Sequence, residues 1–210
     1  GQRLLGASLM LVALTGNSGS GASTVAGFWE ERGCRVCSLD RTGHRLMEKP
    51  RIRAALKVPG LDRVSGPQAR RILRERAFTE PGLLDDINRV MHPVMIRWVA
   101  FCAERCRGLP GVWVLEGALV FELGLEKYFD TVVAVVDTPE RAVLRIIQRD
   151  GVSRRVATAR RRRQLPPEIK AGKADLVIRN SGTLEDLERS SCSVLDRLIQ
   201  IGGKRGQQNP

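Results

Sequence analysis

The sequence predicts an α/β fold built on a doubly wound, five-stranded parallel sheet, and three observations predict it. Five short apolar runs recur along the 210 residues. The first of them, residues 9–14, is continuous rather than alternating, as a strand covered on both faces requires. Amphipathic stretches separate the runs, the order expected of strand–helix–strand units. Each run is followed by a polar residue, namely Asn17, Asp40, Glu116, Asp137 or Asn180. That puts polar groups on the strand-end rim where such sheets bind ligands.

The first run, residues 9–14 (LMLVAL), leads directly into GNSGSGAST, residues 16–24. That string fits G-x-x-x-x-G-K-[ST] at Gly16, Gly21 and Ser23, with Ala22 where the pattern demands lysine. Strand, glycine-rich turn, helix is the setting in which backbone N–H groups and a helix N-terminus converge on phosphate oxygens. Gly16, Asn17, Gly19, Ser20, Gly21, Ala22, Ser23 and Thr24 are therefore the candidate nucleotide-binding residues. The Ser23 hydroxyl is placed to ligate Mg²⁺. An ordinary glycine-rich turn is the plainer alternative.

A helix over 23–32 follows from Val25, Ala26 and Trp29 at helical spacing. A second strand covers 34–39 and ends at Asp40; residues 41–107 then read as helical, broken by Pro50, Gly60, Pro67 and Pro81. The third strand, 111–115, ends at Glu116, and the fourth, 131–136, ends at Asp137. Thr138-Pro139-Glu140 reads as an N-cap with proline at the first helical position. An arginine-rich helical region leads to a fifth strand at 175–178, the turn Asn180-Ser181-Gly182, and a last amphipathic helix from a Thr183 cap through Ile201. Residues 202–210 are polar and glycine-containing, and are expected to be a disordered tail.

Composition narrows the class. The length suits one domain with a sizeable core, and 42% hydrophobic with 28% charged residues is a soluble balance. No run approaches the roughly 18 apolar residues of a membrane span. Residues 4–14 imitate the apolar core of a signal peptide, but they run straight into the glycine-rich loop, so a central strand and a cytoplasmic location are expected. Five cysteines, an odd number, agree with a reducing compartment. Cys34-x-x-Cys37 imitates a redox or zinc pair, yet no second such pair exists, and Cys102 and Cys106 share a helix face, so structural cysteines are expected. The net charge is +12, and nine arginines fall between Arg141 and Arg163. Such a patch binds polyanions. Aromatic residues are 4% of the chain and none lies in that segment, so stacking on nucleic acid is not expected. An arginine-lined lid over nucleotide phosphates accounts for the same charges.

Further strings accompany the loop across residues 9–199: Gly60-Leu61-Asp62-Arg63, Ile87 with Met91-His92-Pro93, Glu116 to Phe121-Glu122, and Gln148-Arg149-Asp150-Gly151. Ala159-Arg160, Gln164 and Lys170, Ala174-Asp175-Leu176-Val177-Ile178 and Asn180-Ser181-Gly182-Thr183 complete them. Set in this order, the chain resembles the dephospho-CoA kinase family. The resemblance implies a P-loop NTPase fold of the nucleoside-monophosphate-kinase type. It gives one domain over 1–201, with a helical substrate region at about 41–107 and a lid at about 145–170. It also implies transfer of the γ-phosphate of ATP to the ribose 3′-hydroxyl of dephospho-CoA, with Mg²⁺. Transposed by position, Asp40 is the base, Arg145 and Arg149 act on the transferring phosphates, His92, Glu116 and Arg160 attend the acceptor substrate, and Asn180 and Gly182 border adenine. The plainer readings are a helix N-cap for Asp40, a satisfied histidine before a proline-started helix for His92, and an exposed helix face for Arg145, Arg149 and Asp150.

The chain departs from the family pattern at Ala22 in place of lysine and at Ser38, where the family carries the first aspartate of an Asp-x-Asp pair. Ala118-Leu119-Val120-Phe121-Glu122 replaces Pro-Leu-Leu-Phe-Glu, and the region 50–60 is short. Losing one preorganised donor costs on the order of 10²–10³ in rate. Arg41 or Arg145 is a substitute charge, although a guanidinium fork is not a point charge. The expected activity is therefore a weakened dephospho-CoA kinase. The alternatives are a kinase-fold protein that binds nucleotide or a CoA-like ligand without turnover, and a basic nucleic-acid-binding module. No oligomeric state is assigned.

Overall fold

Strands β1 (Leu9–Gly16), β2 (Arg35–Ser38), β3 (Gly111–Glu116), β4 (Thr131–Val136) and β5 (Leu176–Arg179) form one parallel sheet in the order β2-β3-β1-β4-β5. The computed structural model describes residues 9–77 and 80–208; residues 4–8 of the expected apolar run and the end of the tail, 209–210, lie outside them. Central β1 pairs with both β3 and β4, setting Val12 opposite Val114 and Thr131. Alternate residues point to opposite faces of a strand, and β1 is buried on both, so its sequence is a continuous apolar run.

The helices are α1 (Ala22–Glu31), α2 (Leu39–Met47), α3 (Pro50–Ala55), α4 (Gly66–Arg76), α5 (Leu83–Cys106), α6 (Pro139–Asp150), α7 (Arg154–Arg162), α8 (Pro167–Lys173) and α9 (Leu184–Gln208). The chain divides into two compact units, one built from the chain up to Cys37 and from Cys102 onward, the other from Ser38–Phe101.

In the first unit, Met10, Val12, Leu14, Val112, Val114, Val133, Val135 and Ile178 of the sheet pack with Val25, Ala26 and Trp29 of α1 and Leu187, Leu195 and Leu198 of α9. Full burial of a leucine contributes about 1.5–3 kcal/mol, so Leu14, Leu195 and Leu198 alone fix α9 on this face. Trp29 is fully buried, and its indole N–H donates to the Ser191 carbonyl at 3.0 Å. A smaller cluster joins Val143 and Ile146 of α6 to Ala157 of α7.

The second unit is helical, and its starts are written in local chemistry. Ser65 and Gln68 form a capping box for α4, and Pro50 and Pro67 stand in the first turns of α3 and α4, where a missing N–H costs nothing. Buried Arg53 donates to the carbonyls of Leu61 at 3.1 Å and Met47 at 2.8 Å, closing the turn after α3.

Three sequence expectations are corrected. Asp40 is neither a strand end nor an N-cap: Ser38 caps α2, accepting from the Arg41 N–H at 3.5 Å, and Asp40 sits in the first helical turn. There its charge complements the helix dipole. Pro93 lies inside α5, not at its start. Buried Met91, Met95 and Val99 on one face offset the roughly 3 kcal/mol an interior proline costs. Thr138 does hold the N-cap position ahead of Pro139, but without a side-chain bond, and Asp137 accepts the Thr138 N–H at 2.7 Å. Finally, α9 continues past Ile201 to Gln208 in place of a disordered tail over 202–208. The pair Gly202-Gly203 weakens a helix by about 1 kcal/mol per residue without stopping it, and no proline intervenes before Pro210.

Candidate functional site

The phosphate loop spans the turn from the end of β1 to the start of α1. The Ser20 N–H closes it onto the Asn17 carbonyl at 2.9 Å. Gly19 and Gly21 adopt φ values of 80° and 100°, the left-handed region that side chains other than glycine rarely enter. A Cβ on Gly16 would collide with Ser20 Oγ and the Val135 carbonyl, so this glycine is fixed by space. Gly21 caps α1 without any side-chain bond. The first-turn N–H groups therefore keep the uncapped arrangement that anions use. Asn17 Oδ1 and Ser20 Oγ are buried in the loop with no protein partner. Ala22 is buried and brings no charge.

The outward side of the loop is fully engaged. Three successive carbonyls each accept a side-chain donor: Ser18 from Arg161 Nη1 at 2.8 Å, Gly19 from Arg145 Nη1 at 3.0 Å, and Ser20 from Asn180 Nδ2 at 2.8 Å. The Ser18 N–H donates to Gln164 Oε1 at 2.9 Å, and Asn17 Nδ2 donates to the Leu165 carbonyl at 2.8 Å. Arg145 also pairs with Asp137, whose side chain is fully buried. Arg141 approaches the same carboxylate at 3.6 Å and donates to the carbonyls of Ser181 and Gly182 at 2.9 and 2.8 Å. The turn 180–182 is thereby pinned beside the loop.

Behind Gln164 and Leu165 stands a buried ion pair. Lys170, fully buried, donates to the Ala118 carbonyl and lies 2.8 Å from Glu122 Oε1, which also accepts the Leu165 N–H at 2.9 Å. Burial lowers the Lys170 pKa, and Glu122 opposes that shift. On the other flank of the loop, Ser23 Oγ donates to Glu116 Oε1 at 2.9 Å. A hydroxyl at the helix start of a phosphate loop and a carboxylate beside it are the hard oxygen donors Mg²⁺ takes alongside phosphates.

The structure thus gathers Asn17, Gly19, Ser20, Ser23, Glu116, Arg145 and Asn180 at one locus. Arg149 and Arg160 meet elsewhere: both pair with Asp150, at 2.8 and 2.6 Å. Arg149 and then Arg160 hold the Asp150 carboxyl below the usual carboxylate range. Asp40 and His92 belong to the helical unit, Asp40 exposed and His92 half-buried, with burial lowering the His92 pKa. Sequence reasoning missed Arg161 and Arg141. Nothing in a run of four arginines marks Arg161, whereas Arg141 stands one helical turn before Arg145.

A groove of about 830 Å³ runs along α9, lined by residues such as Arg32, Glu188, Arg189 and Asp196; no residue lining it belongs to the loop. None of the five cysteines forms a disulfide. Among the described residues no group of three or more His, Cys, Asp and Glu side chains is arranged to hold a metal, and no helix is long and apolar enough to cross a membrane.

Comparison with known proteins completes the description. A model of the dephospho-CoA kinase family matches residues 10–186. The dephospho-CoA kinase of Thermus thermophilus is 36% identical over 197 residues, covering 94% of this chain and 95% of its own. That of Deinococcus radiodurans is 37% identical over 193 residues, covering 89% and 91%. A crystal structure of a Thermus thermophilus protein superposes with a TM-score of 0.68 at 34% identity, covering 91% of this chain and 98% of its own.

Proposed function

The chain belongs to the dephospho-CoA kinase family and is an ATP-dependent kinase that phosphorylates dephospho-CoA to coenzyme A, and we propose that it does so on a phosphate loop organised without a lysine. The observation that carries this reading is the loop's two-sidedness. Its carbonyls are drawn outward by Arg161, Arg145 and Asn180, while the amides at the start of α1 carry no side-chain cap. Phosphoryl transfer draws most of its acceleration from positioning and charge stabilisation, and this loop supplies the positioning through its backbone.

In the reaction, the ribose 3′-oxygen bonds to the γ-phosphorus as the bond from that phosphorus to the β-bridging oxygen breaks, and ADP leaves. Asp40 is the base that takes the hydroxyl proton. Ser23 and Glu116 would hold Mg²⁺, which when bound would neutralise charge on the phosphates. Arg145 and Arg149 serve the transferring group, with guanidinium forks that match phosphate oxygens. Arg160 and His92 attend the acceptor, and Asn180 and Gly182 border the adenine. The protein works in the cytoplasm.

The test is coupled ATP turnover with dephospho-CoA and Mg²⁺, on the native chain and on Ala22→Lys. Slow, substrate-dependent turnover is expected in the native chain. Restoring the lysine is expected to raise it by on the order of 10²–10³. Silence from both proteins would overturn the reading.

A further inference from the structure

Two guanidinium groups reach the phosphate loop, and they differ in what answers their charge. Arg145 is bonded to Asp137, a fully buried carboxylate, so its charge is already matched. Arg161 is 8% exposed and donates to the Ser18 carbonyl. No hydrogen bond or ion pair joins it to a carboxylate among the described residues. Asp137, Glu140 and Glu168 act on it only at longer range. The next cation along, Lys170, is matched by Glu122. A guanidinium stays protonated in proteins, and a charge held away from water acts more strongly than the same charge in solvent.

The seat of Arg161 is rigid. It lies in the last turn of α7, and the segment that follows is fastened by the Ser18–Gln164, Asn17–Leu165 and Leu165–Glu122 hydrogen bonds. The loop therefore lacks an ammonium at position 22 and has, on its outer side, an unmatched positive charge one carbonyl away.

We propose that Arg161 takes over the electrostatic part of the missing lysine's role, as a positioning residue that acts through Ser18 to keep the loop receptive to polyphosphate. It orients the Ser18 peptide by its hydrogen bond and supplies net positive charge to the loop. This inference rests on the loop being a polyphosphate site, and not on the identity of the acceptor substrate.

The test is a double-substitution cycle on the full chain: Arg161→Gln, Ala22→Lys and the two combined. Affinity for inorganic tripolyphosphate is read by calorimetry, beside ATP turnover. Arg161→Gln is expected to weaken tripolyphosphate about tenfold or more, the worth of one hydrogen bond to a charged group. In the Ala22→Lys background the same substitution is expected to cost far less, because the lysine supplies the charge. Arg161→Lys, which keeps charge and bulk, is expected to retain affinity within about threefold, and it decides the matter should the glutamine variant not fold. Arg162→Gln, at an exposed neighbour, is the control and leaves affinity unchanged.

Equal losses from Arg161→Gln in both backgrounds would show a structural role alone and overturn the proposal. So would a Lys variant that loses affinity as severely as Gln, or a native chain that binds no tripolyphosphate. Arg161-dependent tripolyphosphate binding without dephospho-CoA turnover would support the inference while removing the kinase reading.

Discussion

Arg145 and Arg149 stand one turn apart on α6, and Arg160 and Arg161 are neighbours in α7, yet each pair is split between two fates. Arg145 and Arg161 are drawn to the loop carbonyls, and Arg145 also meets a carboxylate fully shielded from water. Arg149 and Arg160 converge on Asp150, whose side chain keeps 23% of its surface exposed. The difference lies in the partner's burial. A pair in solvent gains little, whereas removing one member of a shielded pair strands the other charge. Four side chains of one chemistry therefore hold two different kinds of energy, and substitutions can separate them.

The largest effect belongs to Arg145. Arg145→Ala leaves Asp137 with the Thr138 N–H and, as its one remaining cation, Arg141 at 3.6 Å, and leaves the Gly19 carbonyl without its donor. Stability is expected to fall by on the order of 1–3 kcal/mol, with ATP turnover down by about 10². Urea unfolding and steady-state kinetics check both, and an alanine variant as stable as its parent would break the contrast. Arg149→Ala comes next. It is expected to change stability by less than about 1 kcal/mol while lowering kcat at unchanged fold. A melting loss equal to that of the Arg145 variant would erase the distinction between exposed and shielded pairs.

The smallest effect carries the same burial argument into the helical unit. Burial lowers the His92 pKa from its ordinary 6.5, so in the window just below 6.5 the unfolded chain binds a proton the folded chain refuses. Stability falls as pH drops through that window, and the penalty is complete below the folded value. Above 6.5 the residue contributes no slope. One such ionisation is worth at most about 1.4 kcal/mol per pH unit. Urea unfolding at pH 5.5 and 7.5 should show a smaller difference between the two for His92→Gln than for the native chain; equal differences would sink the idea.

The sheet was legible because its central strands β1 and β4 are buried on both faces, which writes them as the unbroken apolar runs 9–14 and 131–136. The loop was legible because Gly16, Gly19 and Gly21 each answer a steric demand that no other residue meets. What escaped depended on partners distant in sequence. Arg161 and Ser18 lie 143 positions apart, and Arg141 and Gly182 lie 41 apart; no local pattern encodes such meetings. Asp40 was misplaced for a local reason. Ser38 competes for the cap with a side-chain oxygen two residues earlier, and strand propensity gives no sign of which wins. The two glycines at 202–203 misled in the opposite direction, since a helix packed through Leu195 and Leu198 tolerates them near its end.

The outward tethering of Ser18, Gly19 and Ser20 also has a kinetic meaning. Ordering a flexible segment at the moment of binding costs about 0.5–1.5 kcal/mol for each side chain immobilised. Here Arg161, Arg145 and Asn180 are immobilised when the chain folds. A nucleotide thus meets a receptor already in shape, and its capture is governed by how often it collides with the loop rather than by how long the loop takes to rearrange.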